Sequence, residues 1–157
     1  MPRLLALPGD GIGWEILEQS LRVLHALAPR ANLRFDIDHD LLHGASYDRY
    51  GVFCTEDVLG KARQADAVLV GAVGGPQWDD IRMPGGPEYQ DGLMYLRHHL
   101  QTYLGLRPAR SWTRLLTAIP LRADIARGAD VLTLREMCGG AMFATERGQR
   151  RVDGKRQ

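Results

Sequence analysis

Three arginines in the sequence have side chains that could together bind an anion. Arg97 and Arg107 stand on either side of one apolar run, and Arg135 follows further along the chain. A guanidinium offers a planar fork of hydrogen-bond donors and stays charged at any relevant pH, so three of them at one place would bind a carboxylate or a phosphate. The chain holds only two lysines, Lys61 and Lys155, so arginine supplies most of its positively charged side chains. Each arginine taken alone is therefore more simply explained as a solvated surface group.

The segment 89–104 has the hydrophobic period of a helix, and this helix would position Arg97. Its apolar residues recur three or four positions apart, at Leu93, Leu96, Leu100, Tyr103 and Leu104. Arg97 falls outside that stripe, so we expect it to leave the helix on a side different from the core-facing side.

The residues after this helix are expected to turn the chain into a strand. Gly105 follows the last periodic residue, as is typical of a helix C-cap. Pro108 cannot donate a backbone hydrogen bond, so residues 106–110 are predicted to form at most a short edge or entry strand. Arg107 is then expected at the corner between helix and strand.

The amino-terminal half predicts an α/β layer. Continuous apolar runs at 4–7 and 67–73 are typical of fully buried strands, whereas 33–38 alternates like a half-buried strand nearer a sheet edge. Helical segments separate them, one at 15–28 and one that Thr55 can cap. Strands that alternate with helices predict a mostly parallel sheet with flanking helices and right-handed crossovers.

Two glycine-rich loops follow the predicted buried strands. Glycines at 9, 11 and 13 precede a helix, where backbone N–H groups can approach a phosphate, but Trp14 stands where the dinucleotide-binding fingerprint needs a glycine. The second loop, 74–87, lies where open α/β sheets bind their ligands. It carries Trp78, which could stack on a planar group.

Composition excludes several classes of function. The chain has 157 residues, 45% of them hydrophobic, and a formal net charge of +1, so nothing favours a nucleic-acid or membrane partner. No apolar run is long enough to cross a membrane, and we expect a cytoplasmic protein. Cys54 and Cys138 lack metal-binding spacing, which favours reduced thiols and no metal site. The polar tail 149–157 is expected to be disordered or to need a partner surface.

Four motifs, in the same order and nearly without gaps, carry a resemblance to a known family. They are Leu-Pro-Gly-Asp-Gly-Ile-Gly at 7–13, Gly-Ala-Val-Gly-Gly-Pro-Gln-Trp-Asp at 71–79, the run from Leu96 to Pro108, and Leu-Arg-Glu-Met-Cys-Gly-Gly at 134–140. With them the chain resembles the isopropylmalate/isocitrate dehydrogenase family, most closely its isopropylmalate branch. The resemblance implies an isopropylmalate dehydrogenase-like fold, with 1–105 in a first domain and 106–148 opening a second.

The resemblance also implies a reaction. Members of this family oxidise a 2-hydroxy acid with NAD and release carbon dioxide, with Mg²⁺ or Mn²⁺ holding the substrate. By resemblance, Arg97, Arg107 and Arg135 would bind the carboxylates of the substrate. Leu93 and Met94 would contact its isopropyl group, which favours 3-isopropylmalate, the acid of leucine biosynthesis, over isocitrate.

Further roles are implied for residues near the cofactor. Ile12 of the first glycine loop and Gly74, Gly75 and Trp78 of the second would lie on the nicotinamide side. Met142 stands where the family has a catalytic tyrosine, and a thioether has no proton to donate.

The resemblance covers only an N-terminal, truncated part of a family subunit, without the lysine general base, the metal ligands or most of the NAD pocket. Three hypotheses follow: part of a 3-isopropylmalate dehydrogenase, a non-catalytic binding or regulatory half-subunit that pairs with an intact dehydrogenase, and a truncated product without function. In the first two, we expect a homo-oligomer or a pairing with another dehydrogenase subunit.

Overall fold

The structure is a computed structural model and describes residues 1–137, 139, 148, 151–153 and 155–156. These residues form a three-stranded parallel sheet with flanking helices, followed by a separate antiparallel ribbon. The predicted fold class, an α/β arrangement with a mostly parallel sheet, is confirmed. Met142 lies outside the described residues.

The parallel sheet has the order β2–β1–β3, with β1 at Arg3–Gly9, β2 at Asp36–His39 and β3 at Ala67–Ala72. Strand β1 is buried at its centre, as its apolar run predicts. Strand β3 is only half-buried, so the prediction of a second fully buried strand is wrong. Sheet order explains the difference, because in the described part of the chain β3 pairs with β1 on one side only.

Three helices connect or cover these strands: α1 at Gly13–Leu27, α2 at Gly44–Tyr50 and α3 at Glu56–Gln64. A 3₁₀ turn at Ala28–Ala31 ends α1. The predicted cap of α3 is confirmed, because the hydroxyl of Thr55 accepts a hydrogen bond of 3.2 Å from the backbone N–H of Val58. The core between sheet and helices contains Leu5, Leu7, Leu42, Cys54, Val58, Leu59, Tyr95 and Leu96.

The long helix predicted over 89–104 is shorter in the structure. A 3₁₀ turn at Pro87–Gln90 precedes helix α4, which runs from Gly92–His99, and strand β4 already begins at Leu104. Between them, Gln101 adopts a left-handed backbone conformation with φ of 52°, which breaks the helix. Tyr103 and Leu104 continue the helical period in the sequence, yet both are exposed.

The remaining elements follow as β4 at Leu104–Arg110, a 3₁₀ turn at Thr113–Leu115, α5 at Ala123–Ala126 and β5 at Asp130–Glu136. Strands β4 and β5 pair in antiparallel fashion over their whole length, and we call this pair the ribbon. Gly105 lies within β4 and is not a helix C-cap, and Arg107 lies in mid-strand and not at a corner. Those two predictions are wrong because the helix ends earlier than its apolar period suggests.

Short strands also occur in the polar tail. Strand β6 at Arg151–Val152 pairs with β7 at Lys155–Arg156 in antiparallel fashion. Disorder, the first of the two expectations for the tail, is therefore wrong for these four residues, and the second, that the tail needs a partner surface, stays a prediction. The domain limits at 105/106 and 148/149 stay predictions.

One face of the ribbon is apolar and exposed. In an antiparallel ladder, two residues that lie opposite each other have their side chains on the same face of the sheet. Along each strand, successive side chains point to alternate faces. The register places Leu106 opposite Leu134 and Pro108 opposite Leu132. All four are exposed, and the exposed fraction of Leu106 is 61%. Burying this face would require further chain or another subunit.

Candidate functional site

The first glycine-rich loop lies where the parallel strands β1 and β3 end. Gly9 has φ of 72°, and a Cβ added to it would lie 2.0 Å from the carbonyl oxygen of Ala72. A Cβ added to Gly13 would lie 2.0 Å from the carbonyl oxygen of Pro8. These two glycines therefore allow α1 to start in close contact with β1 and β3. Close packing therefore accounts for glycine at positions 9 and 13 without a bound phosphate.

Asp10 is a buried carboxylate at the centre of this corner, with an exposed fraction of only 5%. Its Oδ1 accepts a hydrogen bond of 2.8 Å from the backbone N–H of Ala45, in the first turn of α2. Its Oδ2 accepts one of 2.9 Å from the backbone N–H of Gly74. Sequence analysis did not single out Asp10, because its two partners lie 35 and 64 residues away.

The residues predicted to lie on the nicotinamide side occupy the two loops that Asp10 connects. Ile12, the residue before α1, is 60% exposed, and Gly74 is exposed with open space around its α-carbon. Gly75 and Trp78 are half-buried. The exposed backbone and the apolar Ile12 side chain could contact one side of a planar ligand, so these residues fit part of a nicotinamide site.

Trp78 has contacts that hold its loop against α2. The indole Nε1 donates a hydrogen bond of 2.9 Å to the carboxylate of Asp48. The ring lies directly over Gly44, where an added Cβ would come within 2.3 Å of it. It also meets the imidazole of His43 edge-on, with ring centres 6.2 Å apart. In the described structure Trp78 thus braces the second loop.

Helix α4 begins with two polar interactions that fix its position. The side chain of Asp91 accepts hydrogen bonds from the backbone N–H groups of Leu93 and Met94, at 2.7 and 3.0 Å. Nδ1 of the buried His43 accepts a bond of 3.3 Å from the backbone N–H of Gly92. These bonds satisfy N–H groups that every helix start leaves without helical partners.

Helix α4 brings three of the predicted substrate residues together. Leu93 and Arg97 are four positions apart, and Met94 and Arg97 are three apart, so both apolar side chains neighbour the arginine on the helix surface. All three are half-buried. An apolar contact and a cation therefore lie side by side, as an alkyl-substituted carboxylic acid would need.

The ribbon brings the other two predicted arginines together. Arg107 lies opposite Thr133, and Arg135 is two residues further along β5, opposite Gly105. Residues related in this way lie on the same face, with Cβ atoms about 7–8 Å apart at most. Both arginines are exposed, on the face opposite to the apolar one. Two neighbouring guanidiniums could hold two carboxylates of one molecule.

Arg97 lies in α4 and not in the ribbon, so the pairing of β4 with β5 does not place it beside Arg107 and Arg135. The turn after α4 is nevertheless ordered by hydrogen bonds, since the carbonyl oxygen of Arg97 accepts bonds from the N–H and the hydroxyl of Thr102. The N–H of Met137 then donates to the carbonyl oxygen of Tyr103 and joins this turn to the end of β5. The convergence of all three arginines on one ligand stays a prediction.

Two groups that can ionise are buried in the core, the phenol of Tyr95 in α4 and the thiol of Cys54. The hydroxyl of Tyr95 donates a hydrogen bond to the carboxylate of Glu56, and burial together with Glu56 raises the pKa of this phenol above its usual range. Burial, with the nearby charges of Glu56 and Asp40, raises the pKa of the Cys54 thiol to about 12. Both groups therefore stay protonated at neutral pH and are poor nucleophiles.

Lys61 lies at the edge of the parallel sheet and is bound to acidic side chains. Its Nζ is 2.6 Å from a carboxylate oxygen of Asp40 and 3.0 Å from one of Asp57. The hydrogen bond to Asp40 is the main cause of a raised pKa for this amine. An amine held in its charged form is unsuited to act as a general base.

Two surface cavities lie away from the predicted residues. One of about 940 Å³ lies near the amino-terminal end of the sheet, beside Met1, Pro2 and Leu33. A smaller one of about 290 Å³ is lined mainly by Phe53, Tyr89, Tyr95 and other apolar side chains. Neither of these two cavities is lined by a residue predicted to bind substrate or cofactor.

Among the residues that the structure describes, no group of three or more His, Cys, Asp or Glu side chains is arranged to hold a metal ion. No helix in the same part of the chain is long and apolar enough to cross a membrane.

Comparisons with known proteins give a consistent result. The sequence model of a family described as isocitrate/isopropylmalate dehydrogenase matches residues 3–157. The 3-isopropylmalate dehydrogenase of Hydrogenovibrio crunogenus is 44% identical over 155 residues, which cover 98% of this chain and 43% of that protein. The 3-isopropylmalate dehydrogenase of Pseudomonas putida is 43% identical over 152 residues, which cover 97% and 42%. The chain thus spans less than half the length of these curated relatives.

Solved structures show the same similarity of fold. A beta-decarboxylating dehydrogenase from Thermococcus kodakarensis aligns with a TM-score of 0.65 at 25% identity, over 100% of this chain and 39% of that one. Isocitrate dehydrogenase from Methylococcus capsulatus aligns with a TM-score of 0.70 at 23% identity. This alignment covers 99% of this chain and 40% of that one.

Proposed function

Since the chain belongs to the isocitrate/isopropylmalate dehydrogenase family, we propose that it is the substrate-carboxylate-binding part of a 3-isopropylmalate dehydrogenase of leucine biosynthesis. The observation that carries this proposal is the shared face of Arg107 and Arg135 on the ribbon. The named relatives, at 43–44% identity, support the isopropylmalate branch.

The substrate has two carboxylates, a hydroxyl on C2 and an isopropyl group on C3. Arg107 and Arg135 bind the carboxylates through charge-assisted, planar hydrogen bonds, which fix both the position and the orientation of the acid. Arg97 adds a third guanidinium, and Leu93 and Met94 beside it contact the isopropyl group. The apolar contact favours this substrate over isocitrate by about 1–3 kcal/mol, the usual contribution of one methylene group in an apolar pocket.

The proposed reaction is oxidation of the 2-hydroxy acid at C2 followed by loss of its C4 carboxylate as carbon dioxide, and the role of this chain would be to hold the two carboxylates of the acid. NAD supplies the hydride acceptor when bound. Ile12, Gly74, Gly75 and Trp78 would line one side of its nicotinamide. Because the described residues hold no set of metal ligands, no step through Mg²⁺ or Mn²⁺ is assigned to this chain.

Partner surfaces complete the proposal. The apolar face of the ribbon, with Leu106, Leu132 and Leu134, is exposed in this chain. We propose that a second copy or another dehydrogenase subunit covers it in the cytoplasm. The lysine base and the metal ligands of the family would come from outside the described residues.

Binding of 3-isopropylmalate to the native gene product, isolated with whatever co-purifies, tests this function. The intact mass identifies the subunits, and titration calorimetry compares 3-isopropylmalate with isocitrate. We expect 3-isopropylmalate to bind at least about ten-fold more tightly, as expected from the apolar contact. Equal affinity for both acids, or no binding of either, would contradict the proposal.

A further inference from the structure

Asp10 connects three segments that are far apart in the sequence. Its carboxylate accepts the N–H groups of Ala45 and Gly74, as described above. Its own N–H donates to the carbonyl oxygen of Ala72 at 2.7 Å, and its carbonyl oxygen accepts the N–H of Gly13 at 2.8 Å. The two carboxylate oxygens, the N–H and the carbonyl oxygen of Asp10 thus all make hydrogen bonds where the first loop, α2 and the second loop meet.

The two bonds to the carboxylate are stronger than ordinary loop contacts. A buried carboxylate that accepts backbone N–H groups makes charge-assisted bonds, roughly twice as strong as neutral ones. Neither N–H is otherwise satisfied by a regular helix or sheet bond, because Ala45 lies in the first turn of α2 and Gly74 lies just beyond β3. The position of Gly74 relative to α1 and α2 therefore depends directly on Asp10.

We propose that Asp10 is a positioning residue for the nicotinamide cofactor, since it holds the loop of Ile12 and the loop of Gly74, Gly75 and Trp78 at a fixed spacing. This inference rests on the proposed function. Asp10 is a buried member of the first loop, and both of its carboxylate oxygens are bonded to backbone N–H groups, so it would act on the cofactor through the loops. Loss of its carboxylate would let the second loop move away from the first while the ribbon arginines, which are part of a separate sheet, keep their places.

The experiment compares Asp10→Asn with the wild-type native gene product. Asparagine has nearly the same shape but replaces one acceptor oxygen with an NH₂ group, so one of the two backbone bonds is lost. We expect the KM for NAD to rise by about ten-fold or more, because a small misplacement of a binding loop has effects of this size. The KM for 3-isopropylmalate should change by less than about two-fold, because its arginines are not disturbed. Asp80→Asn, which makes the same change at an exposed carboxylate of the second loop, is the matched control and should change neither value.

Hydrogen exchange of single amides gives a second readout that needs no cofactor. In the wild type, the N–H groups of Ala45 and Gly74 should be protected, although first-turn and loop amides usually exchange fast. In Asp10→Asn, protection should fall for the one of these two amides that faces the new NH₂ group. If that variant does not fold, the wild-type exchange decides alone: fast exchange of either amide would overturn the inference.

The outcomes separate the two proposals. A higher KM for NAD with an unchanged KM for 3-isopropylmalate supports the role of Asp10. Equal changes in both values, or no change in either, would overturn it and leave the proposed function in place. A wild-type protein that does not bind NAD would overturn the proposed function and the role of Asp10 with it.

Discussion

Arg107 and Arg135 are diagonal neighbours on one face of the ribbon. Arg107 in β4 lies opposite Thr133 in β5, and Arg135 is two residues further along β5. Like charges so placed repel each other weakly in water, and in the structure both are exposed. Such an arrangement favours a doubly charged anion between them, because the anion replaces repulsion by two attractive contacts.

The side chain of Asp91 should stabilise helix α4. Asp91→Ala removes both hydrogen bonds to the first turn, to the N–H groups of Leu93 and Met94, and should lower the free energy of unfolding by about 1 kcal/mol. Asp91→Asn, which can still cap, should lose only a small part of this. Chemical denaturation measures both, and equal losses in the two variants would argue against the cap.

Gly13 should be needed for packing although it lies in a helix. An alanine at a helical glycine usually stabilises by about 0.5–1 kcal/mol, but at Gly13 the added Cβ would lie 2.0 Å from the carbonyl oxygen of Pro8. Gly13→Ala should therefore destabilise the protein. Gly60→Ala is the control, because Gly60 lies in α3 with no atom within 4 Å of an added Cβ, and it should be neutral or stabilising. Stabilisation by both changes would show that the close contact is absent.

The thiol of Cys54 should react slowly. Its pKa is raised from 9.0 to about 12, chiefly by burial, so very little thiolate exists at pH 8. Alkylation followed by peptide mass spectrometry should show modification of Cys54 on the order of a thousand-fold slower in the folded protein than in denaturant, as the change in thiolate fraction predicts. Because the folded pKa is the higher one, this group should also make folding less favourable as the pH rises from about 9 towards 12. Similar rates in both states would contradict the buried location.

Some parts of this structure follow directly from the sequence. Continuous apolar runs identified β1 and β3, and Thr55 marked the start of α3, because burial of apolar side chains and capping act over a few residues. The limits of α4 did not follow. Tyr103 and Leu104 fit the helical period, but Leu104 pairs with Glu136 in the ribbon and the carbonyl oxygen of Tyr103 accepts the N–H of Met137. Both contacts depend on residues more than 30 positions away.

The candidate site was predicted only in outline. The motifs supplied Arg97, Arg107 and Arg135. That Arg107 and Arg135 share a face depends on the register of β4 with β5, because a shift of one residue would put the two side chains on opposite faces. Asp10 was missed because its role arises from three segments that meet only in the folded chain. The half-exposed state of β3 was missed because sheet order cannot be read from one strand.

The most direct measurement is the affinity of the native gene product for 3-isopropylmalate in Arg107→Ala, Arg135→Ala and the double variant, with Arg110→Ala as control. Arg110 lies on the opposite face and pairs with Asp130 at 2.7 Å. We predict that each single change weakens binding by about 1.5–3 kcal/mol, the contribution of a charged hydrogen bond, and that the two effects are not additive because both arginines hold one ligand. Arg110→Ala should leave affinity unchanged. Unchanged affinity in both Arg107→Ala and Arg135→Ala would contradict the account.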